Sequence, residues 1–208
     1  MTVKLISLSE KKHPKPLIIG FAIAIVAILI GAVALLYHPY VTENPTQAWL
    51  EDSEDDVEFI GEDYPSIIDV TYAELEVNEG VLKFTITVMD SIPEYLNNGE
   101  YAQWMAIIIL QDGLFRAYEV YMEMNSTLNQ GELVGYFREI GEQEAEPCVV
   151  ERNGNSLIIF APLDELQSSR EILWSILTTF EKWSGYELIA NGIDYAPDEG
   201  FQRTILKK

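Results

Sequence analysis

YAQWMAIIILQDGLFRAYEVYMEM, residues 101–124, is the stretch whose reading decides the fold class. Its first half, 101–111, is rich in aromatic and β-branched residues. Ile107-Ile108-Ile109-Leu110 is apolar enough for a central strand covered on both faces. Asp112-Gly113 then supplies the positive φ angles that a tight hairpin turn requires. In the second half, 114–124, Tyr118, Val120, Met122 and Met124 fall on one face, and Glu119, Tyr121 and Glu123 on the other. That period of two belongs to a strand with one buried side. The pair predicts a β-hairpin.

The same signature extends in both directions. Upstream, Leu82, Phe84, Ile86 and Val88 alternate with Lys83, Thr85 and Thr87. Residues 67–77 form the preceding strand, joined through Asn78-Glu79-Gly80. Downstream, 133–140 is a strand, and 148–152 pairs through Asn153-Gly154-Asn155 with 156–160. Ala161-Pro162 ends that strand, and Leu163-Asp164-Glu165-Leu166 suggests a helical turn. Residues 172–183 fit two periods: their β-branched and aromatic content favours a strand, while Leu173, Ile176, Leu177 and Phe180 also make a helical face. The β-rich context favours the strand. Antiparallel strands at hairpin spacing over 64–208 predict an all-β domain, an antiparallel β-sandwich.

The 208 residues divide unevenly by charge. The whole chain carries a net charge of −21 and has a pI near 4.2, which argues against nucleic acid as a partner because phosphates need a basic stripe. Residues 1–16 hold four lysines against the single acid Glu10, and residues 17–36 hold no charge. Residues 37–208 hold nine bases and 33 acids. Twenty apolar residues as a helix span about 30 Å, the thickness of a bilayer's hydrocarbon core. Residues 17–36 are therefore expected to be a transmembrane signal anchor. The rival is a cleaved signal peptide, with Ala32-Val33-Ala34 as an A-x-A-like site and cleavage after Ala34. Against cleavage, the apolar run is longer than an ordinary signal-peptide core.

Lys11, Lys12 and Lys15 precede the run, and no Lys or Arg occurs from 37 to 82. The positive-inside rule then places the N-terminus in the cytoplasm and residues 37–208 outside, whether the segment is cleaved or not. Tyr37, His38 and Tyr40 suit the headgroup boundary. Residues 37–63, with Pro45 and the run Glu51-Asp52-Ser53-Glu54-Asp55-Asp56, read as an extended acidic stalk in which like charges resist compaction. Hard cations also favour clustered carboxylates, although the spacing here is not that of an EF-hand loop.

Several chemistries are excluded by count. One cysteine, Cys148, allows no intrachain disulfide and no thiolate cluster, and reads as a small buried hydrophobe. The two histidines, His13 and His38, both precede the domain, which removes the base that hydrolytic triads need. The many acids permit carboxylate pairs for glycoside hydrolysis, but solvated surface explains them as well, and no enzyme is inferred.

Short landmarks resemble carbohydrate-binding family 9 and DOMON-type β-sandwiches. Tyr64-Pro65-Ser66-Ile67-Ile68-Asp69-Val70-Thr71 is similar to their opening strand, and Ser91-Ile92-Pro93 and residues 104–112 to their middle. Residues 155–163 and Asp194-Tyr195-Ala196-Pro197-Asp198 are similar to their last third. The resemblance covers roughly 60–200 and implies a jelly-roll-like sandwich with non-enzymatic binding of sugars or, in some members, haem. Haem is not carried over, because its His and Met axial ligands need a histidine this domain lacks; Met89, Met105, Met122 and Met124 read as core filler.

A sugar face requires exposed aromatic rings beside polar groups, and the candidates are Trp104, Tyr118, Tyr121, Trp174 and Trp183. Aromatics at strand period also serve as core or cross-strand pairs. Asp69, Asp112, Asp194 and Asp198 could hold a structural Ca2+ at loop ends, with turn capping as the rival role. Asn125-Ser126-Thr127 is an N-x-T sequon, which makes Asn125 a glycosylation candidate. The expected function is a membrane-anchored extracytoplasmic binding module for a carbohydrate; the alternative is an accessory or structural subunit of a cell-envelope complex.

Overall fold

A computed structural model describes residues 41–42, 47–53, 56–61, 66–78, 81–111, 116–162, 171–197 and 200–205. The chain divides into two units, Met1–Tyr37 and His38–Lys208, and everything described belongs to the second. The basic tail, the apolar segment 17–36, the Asp112-Gly113 turn, the helical turn expected at 163–166, and Asp198 lie outside the described residues. Among the described residues no helix is long and apolar enough to cross a membrane.

Among the described residues thirteen strands follow in order: β1 (Val41–Thr42), β2 (Gln47–Glu51), β3 (Glu58–Ile60), β4 (Val70–Asn78), β5 (Val81–Val88), β6 (Glu100–Leu110), β7 (Ala117–Asn125), β8 (Leu133–Glu139), β9 (Glu146–Asn153), β10 (Ser156–Pro162), β11 (Glu171–Ser184), β12 (Glu187–Ala196) and β13 (Gln202–Ile205). Among the described residues a single 3-10 turn, Ser66–Ile68, precedes β4. The fold is therefore nearly all β, as the hairpin spacing predicts.

Hydrogen bonding runs without a break through β1-β13-β11-β6-β7-β8-β9-β10-β5-β4-β2, with β12 on β11 and β3 on β12. The result is one curled sheet, a half-barrel, in which all the long pairings are antiparallel and β1 joins β13 in parallel. The curl turns at β9. Its first residues pair with β8 (Cys148 opposite Gly135), and from Val149 onward it pairs with β10. Gly135 makes this turn possible: a Cβ there would sit 2.2 Å from Val150 Cγ1 and 2.9 Å from Ile159 Cδ1. The two limbs thus close over one core, where Phe84 of β5 meets Trp174 of β11 edge-on at 6.1 Å.

Each strand follows from its pattern. On β5, Leu82, Phe84, Ile86 and Val88 are fully buried while Lys83, Thr85 and Thr87 are partly exposed. The β6–β7 hairpin has the expected register, from Ile109 opposite Ala117 to Tyr101 opposite Asn125. Residues 172–183 belong to a strand throughout, flanked by β6 on one side and by β13 and then β12 on the other. Their helical look has a simple cause. Trp174 and Ile176 face the core, yet Leu173 and Leu177 on the opposite side are also buried, so the period of two is blurred.

Within 37–63, where an acidic stalk is expected, the described residues 41–42, 47–51 and 58–60 are strands of the sheet. β2 pairs with β4 and buries Ala48 and Leu50, and β3 pairs with β12. Glu51 and Glu58 face solvent in these strands and do not oppose burial of their apolar neighbours. The pairing of β2 with β4 and of β3 with β12, both distant in sequence, decides the structure of these segments.

Candidate functional site

The five candidate aromatics separate by face. Trp104, Tyr118 and Trp174 point into the core and are not available to a ligand, because they share strand parity with Val120, Met122 and Ile176. Their polar tips are satisfied internally: the Trp104 indole N–H donates to the Ile67 carbonyl at 2.8 Å, and that of Trp174 to Thr204 Oγ1 at 3.1 Å. Tyr118 stacks on Phe137 at 5.4 Å. The Met assignment also divides. Met122 and Met124 fill the core, Met105 is buried on the other side of β6, and Met89 is exposed, so it is not core filler.

Tyr121 lies on the outer face of β7 and organises the clearest polar–aromatic cluster. It pairs directly with Tyr136 of β8, the rings 5.4 Å apart and tilted by 34°. Arg138, two residues along β8 and so on the same face, places its guanidinium 5.8 Å from the Tyr121 ring centre. Its Nε–H donates to Glu119 Oε2 at 2.6 Å, the cross-strand partner on β7. On the far side of Tyr121, the Tyr101 hydroxyl donates to Glu123 Oε2 at 3.3 Å. Tyr101, Tyr121, Glu123, Tyr136 and Arg138 are all half-buried, so part of each stays accessible.

Burial governs the electrostatics of this face. It pushes the Glu123 carboxyl above its usual range, with the Tyr101 hydrogen bond pulling the other way. The Tyr101 phenol is raised strongly, first by burial and then by the charge of Glu123. Burial also raises Tyr121, against the opposing pull of Arg138. The arrangement offers ring faces, a fixed guanidinium and two carboxylates side by side. Sequence reasoning singled out Tyr121 but not Tyr136, Arg138, Tyr101 or Glu123. Their signal was the alternation itself, since the face left over by the core residues on β7 and β8, and at the start of β6, is the one that carries them.

The candidate metal ligands are placed differently. Asp69 and Asp194 are both buried, and Asp194 Oδ2 accepts the N–H of Val70, the residue after Asp69, at 2.8 Å. Asp112 and Asp198 are outside the described residues. Asp194 instead gathers with Asp52 and Asp56, each contributing one carboxylate oxygen, all within 4.8 Å of one another. These three oxygens are of the type that a hard divalent cation takes. Asp52 and Asp56 fall in the run read as stalk, which is why they were not linked to Asp194.

Two further residues have structural work. Asn125 Oδ1 accepts the N–H groups of Thr127 and Leu128 at 2.9 and 3.0 Å, capping the turn after β7 inside its own sequon. Cys148 is half-buried, and burial together with Glu146 pushes its thiol up to about 11, so little thiolate is present at neutral pH. Trp183, the fifth aromatic, sits at the end of β11 with its indole N–H on Glu181 Oε2 at 2.9 Å, and is partly exposed.

No protein-family model matches this chain, and no curated protein or solved structure matches it either. The likeness to carbohydrate-binding family 9 and DOMON domains therefore rests on the short motifs quoted above.

Proposed function

We propose that this chain is a membrane-anchored extracytoplasmic binding module, held by residues 17–36, whose outer β7–β8 face, with Tyr101 of β6 at its edge, takes a carbohydrate. The observation that supports this most directly is the Tyr121–Tyr136 pair with Arg138, Glu119 and Glu123 beside it. Sugars present apolar C–H faces edged by hydroxyls, which aromatic rings and charged hydrogen-bonding groups match together. The ring pair supplies the first kind of contact, and the Glu123 carboxyl and the Arg138 guanidinium, the latter held in place by buried Glu119, supply the second. Two limbs closing on one core, with Phe84 against Trp174, are consistent with the jelly-roll-like sandwich that the motif resemblance implies.

The test is a glycan-array screen of the full chain in detergent micelles, with and without Ca2+. The expected result is retention of at least one glycan class, weakened about tenfold or more by Tyr136→Ala at unchanged melting temperature. No retention in either condition would sink the reading. Retention that survives Tyr136→Ala and Tyr121→Ala together would move the site elsewhere on the domain.

A further inference from the structure

We infer that the sugar taken by the outer β7–β8 face carries a protonated amino group, which Glu123 receives. This rests on the carbohydrate reading of that face and narrows its substrate class. The register of the sheet sets what surrounds Glu123. Tyr121 lies two residues before it on the same face of β7, and Tyr101 of β6 reaches it across the sheet, its hydroxyl donating to Oε2 at 3.3 Å. The other oxygen, Oε1, has no protein partner among the described residues and is not sealed from water. A carboxylate oxygen open to solvent beside phenol rings suits an ammonium group, which donates a charge-assisted hydrogen bond to the oxygen and is attracted to the ring faces.

Charge sets Glu123 apart from the other polar groups of the face. Arg138 is already compensated, because its Nε and Nη2 both donate to Glu119 Oε2, at 2.6 and 2.5 Å, and Glu119 is buried. The guanidinium can still hydrogen-bond a sugar hydroxyl, but it offers little net charge to an acidic sugar. Among the described residues no Lys or Arg pairs with Glu123. Glu181 of β11, directly opposite Tyr101 and so on the same outer face, adds a third carboxylate to Glu119 and Glu123. Burial leaves the Glu123 charge poorly solvated and raises its carboxyl. A bound ammonium supplies the missing counter-charge, and a hydroxyl does not. The chain as a whole acts in the same direction: at a net charge of −21 it draws cationic oligosaccharides and repels uronates. The Tyr121 and Tyr136 rings, centred 5.4 Å apart, extend the surface beyond one ammonium group, which favours a pyranose ring over a lysine side chain.

The experiment measures binding of three tetrasaccharides to the full chain, held in micelles of a detergent without a sugar headgroup. They are a glucosamine tetramer, its N-acetylated counterpart and a galacturonate tetramer, compared at about pH 6, where much of the amine is charged and an ordinary carboxyl is ionised. The expected result is a preference of about tenfold or more for the glucosamine tetramer over both others. In Glu123→Gln that ratio should fall to within about twofold, with near-UV circular dichroism unchanged. Equal or tighter binding of the N-acetylated or the galacturonate tetramer would overturn the amino-sugar proposal and leave the carbohydrate reading standing. A preference that survives Glu123→Gln would overturn it as well, since the ammonium would then be held elsewhere. A lysine tetramer that binds as tightly as the glucosamine tetramer would reduce the effect to general charge attraction, which also overturns it. Failure of all three tetrasaccharides overturns the proposal, while the glycan array decides the carbohydrate reading separately.

Discussion

The two faces of β7 carry the same kinds of residue to opposite ends. Tyr118 inward stacks on Phe137 and is nearly inaccessible; Tyr121 outward, three residues later, meets Tyr136 and Arg138 and stays half-open. Trp174 and Trp183 on β11 repeat the contrast, one sealed against Phe84 and Thr204, the other at an exposed tip. An aromatic residue in a strand is thus uninformative by type. The face it occupies decides between stability and recognition, and substitutions on the two faces are expected to separate those properties.

The largest effect is expected inside. Trp174→Ala removes the contact with Phe84 and leaves a cavity among fully buried neighbours, at a cost of about 3–5 kcal/mol. Chemical denaturation of this variant beside Tyr136→Ala, expected to lose less than about 1 kcal/mol, measures the contrast directly. Equal losses would show that the outer pair is structural and not a recognition surface.

A second break is at the corner. Gly135→Ala places a methyl group where Val150 and Ile159 already lie, an overpacking cost of about 1–3 kcal/mol. Thermal unfolding should show the loss, and an unchanged melting temperature would mean that the limbs can part at β9 without penalty. Asp194→Ala is third. It strips the buried Val70 N–H of its acceptor, for about 1–3 kcal/mol, and hydrogen exchange at the Val70 amide should accelerate. An amide still protected in the variant would show another acceptor taking over.

These same residues mark how far the sequence could be read. β5 was legible because one of its faces is covered and the other wet, so Leu82, Phe84, Ile86 and Val88 alternate cleanly. β11 was ambiguous because Leu173 and Leu177 are buried opposite Trp174 and Ile176, and a strand covered twice loses its period. β2 was lost because exposed Trp49 between buried Ala48 and Leu50 hides the alternation beside a dense acidic run, and their pairing with β4 is a long-range fact. Tyr121 was found as an aromatic, yet its partners Tyr136 and Arg138 are neighbours only through the β7–β8 register. Gly135 carried no local signal, since its neighbours come from β9 and β10.

The smallest expected effect is also the sharpest probe of the outer face. Burial raises the Glu123 carboxyl, so the folded chain holds that proton more tightly than the unfolded chain does. Between the unfolded and folded values the folded state then binds more protons, and stability falls as pH rises through that window. The contribution is fully present only below the unfolded value, near 4.5, and is gone once pH passes the raised folded one. Glu123→Gln cannot ionise and should remove that part of the slope, so its melting temperature relative to the parent chain should improve from acid to neutral pH. Core variants such as Trp174→Ala leave Glu123 in place and should show a pH-independent offset. A difference between Glu123→Gln and the parent that stays constant with pH would place Glu123 in contact with water in the folded state, and the outer face would then be more open than its half-buried rings imply.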